Sequence, residues 1–378
     1  MAFFTKSPRA GAADYVFIGF LVFLIVFGLV MLTSASSELS KNEFNDSMYY
    51  LKHQLANGIL PGIAGFFIGY FVYYRRWEKA APFLLIVGIL ALLLVFTPLV
   101  LHAKGGDRWV NFGAFSFQPG ELMKLLFFVY LSAWISKGQQ RGKSFWGGLA
   151  PFTILVGLVV LLLLMQPATS TAALIFFTSL LVYFTSGANI RFVAALVLAA
   201  SLGAIAIVLI NPFSSGNYRS TRIQTYLNSS ADPSGAGYHI NQAQTAIGSG
   251  GIFGVGFGKS TTKIHYLPEP MGDSIFAVIG EELGFVGAMS FIVLYLAFIW
   301  RGLKIARRAG DNFGRYLATS FMCLFGLQAF VNIGAISGVI PMTGIPLPFV
   351  SYGGTSLAIS LTMCGIIANI SRYKRSAA

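Results

Sequence analysis

Long apolar stretches separated by short polar ones dominate this chain. A helix that crosses a bilayer needs roughly 20 mostly apolar residues. Ten stretches meet that length: 15–33, 55–74, 80–101, 119–135, 145–165, 170–186, 190–210, 274–300, 316–340 and 349–370. They are continuously apolar, without the alternation of membrane β-strands. The pattern predicts an all-α polytopic membrane protein of about ten helices, forming one integral-membrane domain over 1–378. The fourth and sixth stretches are short and begin on polar residues. One large non-membrane element, 211–273, separates the seventh and eighth stretches. It is Gly/Ser-rich, but its aromatic and apolar content and amphipathic patches such as 238–247 (YHINQAQTAI) predict an ordered loop. No strong inverted repeat of the kind found in many transporters is visible.

Composition supports this reading. The chain is 56% hydrophobic and 10% charged, against about 25% charged in ordinary soluble proteins. So little charge cannot coat a soluble globule, which excludes a soluble enzyme and a disordered tail. The net charge of +13 would suit a nucleic-acid binder until the charges are placed. With the N-terminus inside, 17 of the 26 Lys+Arg fall on inner segments and 9 on outer ones. Four of those nine lie in 211–273, too long for the positive-inside rule to apply. Both termini are therefore expected in the cytoplasm, with the basic residues setting topology and meeting anionic lipid rather than nucleic acid. The TSASS run at 33–37 resembles a signal-peptidase site. The apolar run before it exceeds a typical cleaved signal core, so the first stretch reads as an uncleaved anchor. Cys323 and Cys364 lie in apolar runs, and the four histidines show no paired spacing, so no disulfide framework or His-built metal site is expected.

Few ionisable groups remain to carry chemistry. The glycine run 248–260 ends in Gly258-Lys259-Ser260, but a phosphate loop needs glycine where Phe253 stands. Its expected role is to face an anionic lipid headgroup with backbone amides and with Lys259 and Lys263; a tight-turn loop against the membrane is the plainer alternative. Glu121 and Lys124 are three apart and share a helix face, either as a self-neutralising pair or as site groups. Glu281 and Glu282 lie two turns into the eighth stretch, where capping or bracing is expected of them. Glu282 falls about 180° around that helix from Asp273. Asp273 follows the rigid Leu267-Pro268-Glu269-Pro270 and the hinge Gly272. It suits a helix N-cap and a site carboxylate equally well. Arg108-Trp109 reads as an interfacial anchor or as a cation for phosphate.

Taken together, several segments resemble the SEDS family (shape, elongation, division and sporulation). They are Gly106-Asp107-Arg108-Trp109, Phe117-Gln118-Pro119-Gly120-Glu121-Leu122-Met123-Lys124, Gln166-Pro167 with Thr171-Ala172, and Ala246-Ile247-Gly248-Ser249-Gly250-Gly251. Tyr266-Leu267-Pro268-Glu269 leads on to Asp273 and Glu281-Glu282-Leu283-Gly284, and the set closes with 343–354 (TGIPLPFVSYGG). The resemblance covers nearly the whole chain. It implies a peptidoglycan glycosyltransferase that polymerises lipid II on the outer face, beside a class B penicillin-binding transpeptidase and other division or elongation proteins. It places the family's essential aspartate on Asp273, its carboxylate and lysine on Glu121 and Lys124, and its Arg-Trp pair on Arg108 and Trp109. Lys124 and Arg108 then become candidate pyrophosphate cations, with Arg219, Arg222, Lys259 and Lys263 as further loop candidates. Glu121 would orient Lys124 or help Asp273 hold a divalent cation, Mg or Mn; the sequence fixes no cofactor. The chain departs from the family with Met271-Gly272 and Ser274 around the aspartate, and with Ala168 and Ser170 after Gln166-Pro167. The run from Gly258 to Glu269 resembles the division-type branch more than the elongation type. A lipid II flippase and a non-catalytic scaffold are the rival functions.

Overall fold

In the computed structural model, residues 10–98, 100–101, 109–111, 116–138, 144–166, 168–210, 226 and 236–373 are described. A helix lies on each of the ten apolar stretches: α1 Tyr15–Phe44, α2 Tyr49–Phe71, α3 Tyr74–Leu93, α4 Pro119–Ser136, α5 Phe145–Met165, α6 Thr169–Thr185 and α7 Ile190–Ile210. Two further helices, α8 Ala236–Ser249 and α9 Thr262–His265, lie within the expected loop, and α10 Ile275–Arg307, α11 Asn312–Ile336 and α12 Gly354–Ser371 follow. Among the described residues, seven helices are long and apolar enough to cross a membrane, so this is a multi-pass membrane protein.

Several helices outrun their apolar stretches, because backbone bonding does not require apolar side chains. The first runs on to Phe44, where Asn45 adopts a left-handed conformation (φ 54°) and closes the last turn onto Lys41. The last begins only at Gly354, not at 349, since Phe349 (φ 68°) interrupts the helix. Pro61 supplies no backbone donor, and the turn before it, Leu55–Ile59, widens to a π-helix. The expectation of an all-α chain also misses a small antiparallel sheet, β1 Val100–Leu101, β2 Trp109–Asn111 and β3 Ser116–Phe117. Its strands are too short to register as an apolar alternation.

At the centre stand α11 and α12, whose most apolar windows are each 67% buried. Aromatic stacking joins α1 to α10, with Phe17 on Phe298 at 5.1 Å and Phe27 on Phe291 at 5.2 Å. Away from the α8 end, Arg301 bonds Asp14 at 2.9 Å, and Asp311 accepts from Tyr74 Oη at 2.8 Å. Glycine sets the α2–α12 contact. Gly58, Gly62, Gly65 and Gly69 line one face of α2; side chains on Gly62 and Gly65 would collide with Leu361 and Thr362. A Cβ on Gly69 would lie 2.8 Å from the Ile366 nitrogen, and Gly365 answers from the other helix against Phe66. Lipid gives helices no hydrophobic reason to associate, so such close backbone approach is what binds them.

Gly69→Val is therefore expected to destabilise the protein by about 1–3 kcal/mol, the usual cost of overpacking. Gly19→Ala, with nothing within 4 Å of the new methyl, should be neutral or slightly stabilising. Thermal midpoints in detergent check both.

Candidate active site

The site is assembled around a break in α10. Gly284 takes φ 66° and ψ −170°, a conformation open to glycine, and so interrupts the helix two turns from its start. The glycine run fills the break. Val255 N donates to Glu281 O at 2.9 Å and Gly256 N to Glu282 O at 3.1 Å, while Phe285 N and Val286 N donate to Gly251 O and Ile252 O at 2.9 and 3.1 Å. A side chain on Gly250 or Gly254 would strike the carbonyls of Gly280 and Glu282. These amides are thus committed to α10, which corrects the expectation that they meet a lipid headgroup.

Lys263 is corrected for the same reason. Its ammonium is buried, 2.6 Å from Glu282 Oε1 and 3.0 Å from Ser34 Oγ, and Ser34 also donates to Glu282 at 2.7 Å. Lys259, by contrast, is exposed. Glu281 accepts from Ser260 Oγ at 2.5 Å, from Thr261 N at 3.1 Å and from the Thr262 hydroxyl. Both glutamates therefore tie the loop to the broken helix.

Downstream of the lock, the chain turns into Asp273. Glu269 is left-handed (φ 49°) ahead of Pro270, and its carbonyl accepts from Gly272 N at 2.9 Å. Three consecutive carbonyls are then pinned from outside. Tyr352 N holds Met271 O at 2.8 Å, Ser351 Oγ holds Gly272 O at 2.7 Å, and Asn332 Nδ2 holds Asp273 O at 2.8 Å. Ser274, not Asp273, occupies the N-cap of α10, and it makes no side-chain cap bond. The Asp273 carboxylate is mostly buried, with Ser274 Oγ 3.5 Å and His239 Nε2 3.9 Å from its Oδ1. Burial, reinforced by the neighbouring Asp273 charge, pushes the Glu269 carboxyl above its ordinary range, and His239 opposes that rise.

Glu121 and Lys124 are both buried and face one another at 2.7 Å. Lys124 also donates to Gln328 Oε1 at 3.2 Å, and Gln328 Nε2 donates to Pro346 O at 3.0 Å. One turn further along α11, Asn332 bonds Ile345 O at 2.7 Å as well as Asp273 O. The pair is thereby linked through α11 to the same 345–354 segment that pins Asp273. Gln328 and Asn332 are not singled out by the sequence, Ser351 enters only as part of the 343–354 motif, and His239 is set aside with the other histidines. The amides and the serine carry no charge to flag them, and the histidine had no paired spacing. Arg108, Arg219 and Arg222 lie outside the described residues. Trp109 lies in β2 and lines a cavity of about 660 Å³ with His53, Asn57, Phe117, Tyr352 and Thr355. Ligand sites commonly run from about 300 to 1,000 Å³.

Among the described residues the carboxylates are not gathered into a divalent-cation site. Glu121 is taken by Lys124, and no group of three or more His, Cys, Asp or Glu able to hold a metal exists among the described residues.

A helical membrane body, a broken helix plugged by a glycine loop and a pinned aspartate at one end define a polytopic membrane protein with a candidate carboxylate site. The chain belongs to the FtsW/RodA/SpoVE family, whose model, described as cell cycle protein, matches residues 14–376. It is 38% identical over 370 residues to stage V sporulation protein E of Bacillus subtilis, covering 98% of this chain and 100% of that one. It is also 38% identical to a probable peptidoglycan glycosyltransferase FtsW of Geobacter metallireducens, across 95% and 94% of the two chains. A solved chain from work on the coordination of polymerization and crosslinking by a peptidoglycan synthase complex matches at a TM-score of 0.81, with 27% identity and 96% and 98% coverage. Rod shape determining protein RodA of Thermus thermophilus matches at 0.69, with 25% identity and 96% and 98% coverage.

Two outcomes are expected. Lys263→Met strands a buried Glu282 charge and should cost about 3–5 kcal/mol, most of it recovered by adding Glu282→Gln; a double-mutant cycle on thermal stability reads this. Glu269 favours the protonated form on folding, so its contribution to stability falls as pH rises past the unfolded pKa. Glu269→Gln should therefore gain stability over the natural protein at pH 7–8 and match it near pH 4, as read by melting across pH.

Proposed function

We propose that this chain is a peptidoglycan glycosyltransferase that polymerises lipid II into β-1,4 glycan at the outer face of a bacterial cytoplasmic membrane, with Asp273 as general base. The observation that carries this reading is the clamp on residues 271–273, which fixes a carboxylate at the loop-bearing end of the membrane body. Relatives bearing the name probable peptidoglycan glycosyltransferase, and a solved neighbour from a peptidoglycan synthase complex, support the activity. That neighbour also supports a penicillin-binding transpeptidase as partner. The charge distribution supports cytoplasmic termini and an outer site.

In the reaction, a sugar 4-hydroxyl attacks the anomeric carbon of a glycan held on polyprenyl pyrophosphate. The new C–O bond forms as the bond to the diphosphate breaks, the configuration inverts, and the hydroxyl proton passes to Asp273. A base must stand within about 2.6–3.2 Å of that proton or one water away, and pinning the backbone spends the ordering cost before substrate arrives. Tyr352, a wall residue of the 660 Å³ cavity, donates its backbone N–H to Met271 O, two residues before Asp273. Trp109, Phe117 and Tyr352 give it aromatic walls, and Asn57 and Thr355 give it polar groups for sugar hydroxyls. Arg108 and Lys124 are the cations assigned to the leaving pyrophosphate, with exposed Lys259 as a further candidate; Lys124 must exchange Glu121 for phosphate oxygens to serve. A transport site would draw on carboxylates within the membrane, yet Glu281 and Glu282 already hold the loop.

Asp273→Asn in the purified full chain should lower polymerisation of labelled lipid II by about 100-fold or more, with folding intact. Normal glycan ladders from that variant would overturn the assignment. Movement of lipid II across proteoliposomes without polymer would favour the flippase.

A further inference from the structure

His239 stands beside Asp273 without a part in the chemistry above. It lies on α8, which is seated on the first turns of α10 through small residues. Ala243 and Ala246 are fully buried, and Gly280 of α10 leaves room for Ile247. Such close seating fixes where the histidine stands.

The hydrogen bonds around it determine its proton. Ser274 Oγ lies 2.8 Å from Pro268 O, which can only accept, so the serine hydrogen points there. The same oxygen is 2.6 Å from His239 Nε2 and must accept from it, so Nε2 carries hydrogen. The ring nitrogen is also 3.9 Å from Asp273 Oδ1. Three carboxylates bear on this spot: Asp273 and Glu269 from the connecting segment, and Glu43 from α1, whose charge acts on Glu269. Set against these carboxylates, His239 places a cation-forming ring 3.9 Å from Asp273 Oδ1.

Building on the polymerase reading, we propose that His239 is a positioning residue for Asp273. Its imidazolium keeps the Asp273 carboxylate ionised despite Glu269, and its bond to Ser274 Oγ fixes the first turn on which that carboxylate is carried. A base must be ionised to take the hydroxyl proton. A second carboxylate nearby works against ionisation, and a cation about 4 Å away offsets it.

The test is the pH dependence of lipid II polymerisation by the purified full chain, comparing the natural protein with His239→Ala and His239→Gln. Loss of the cation should move the acid limb of the rate profile up by about one pH unit in both variants, a roughly ten-fold drop in kcat on the acid side, with KM unchanged. Glutamine restores a donor to Ser274, so His239→Gln should recover the plateau rate at high pH while its acid limb stays displaced. An acid limb unmoved in both variants overturns the proposal, whether the plateau falls or not, because a merely structural histidine lowers the rate equally at every pH. Should His239→Ala fail to fold, His239→Gln alone decides. Absence of polymer from the natural protein would instead count against the polymerase reading, so the two failures are distinguishable.

Discussion

A helix cannot be broken within a membrane protein unless something answers the N–H and C=O groups that the break releases. In this chain the break is at Gly284, and the answer is the backbone of residues 251–256. Much of the loop-bearing end depends on that exchange. The loop must come down to the helix, and glycines must let it come close. The glutamates just before the break then become available to hold it: Glu281 gathers the hydroxyls and amides of 260–262, and Glu282 takes Lys263 and Ser34. Because Ser34 is on α1, the lock also reaches a third part of the fold.

What the lock positions is a short, rigid platform. Between α9 and α10 the chain passes two prolines and a left-handed Glu269, and its carbonyls at 271–273 are held by Tyr352, Ser351 and Asn332. Those three holders come from α11 and the segment before α12. Residues distant in sequence therefore set the position of one aspartate, and α11 carries the same segment's link to Glu121 and Lys124 through Gln328. The backbone of Asp273 on such a platform has little freedom left to lose, which is what positional catalysis would require of the proposed base.

The economy of charge is equally instructive. Only 13 acidic residues are present in 378, and several of those near the membrane body are committed to partners of opposite charge or to backbone donors. Buried ion pairs such as Lys263–Glu282 contribute little net stability over apolar packing, but losing one partner is costly. Their value here is register: each fixes one segment against one other.

The amino-acid sequence by itself determined that the chain spans a membrane repeatedly, where its apolar helices lie, and which segments carry the family's motifs. Those properties follow from local composition, since a run of about 20 apolar residues has one stable form in lipid. From its residues alone Asp273 suited a helix N-cap and a site carboxylate equally, and only the resemblance to the family's motifs singled it out. Only the tertiary structure decided what the glycine run and Lys263 do, because one is complementary to a helix break and the other to Glu282, neither of which exists in a linear sequence. Likewise Gln328, Asn332, Ser351 and His239 are ordinary residues along the chain. They matter through which carbonyl or carboxylate the fold brings to each, and that is set by packing between helices far apart in sequence.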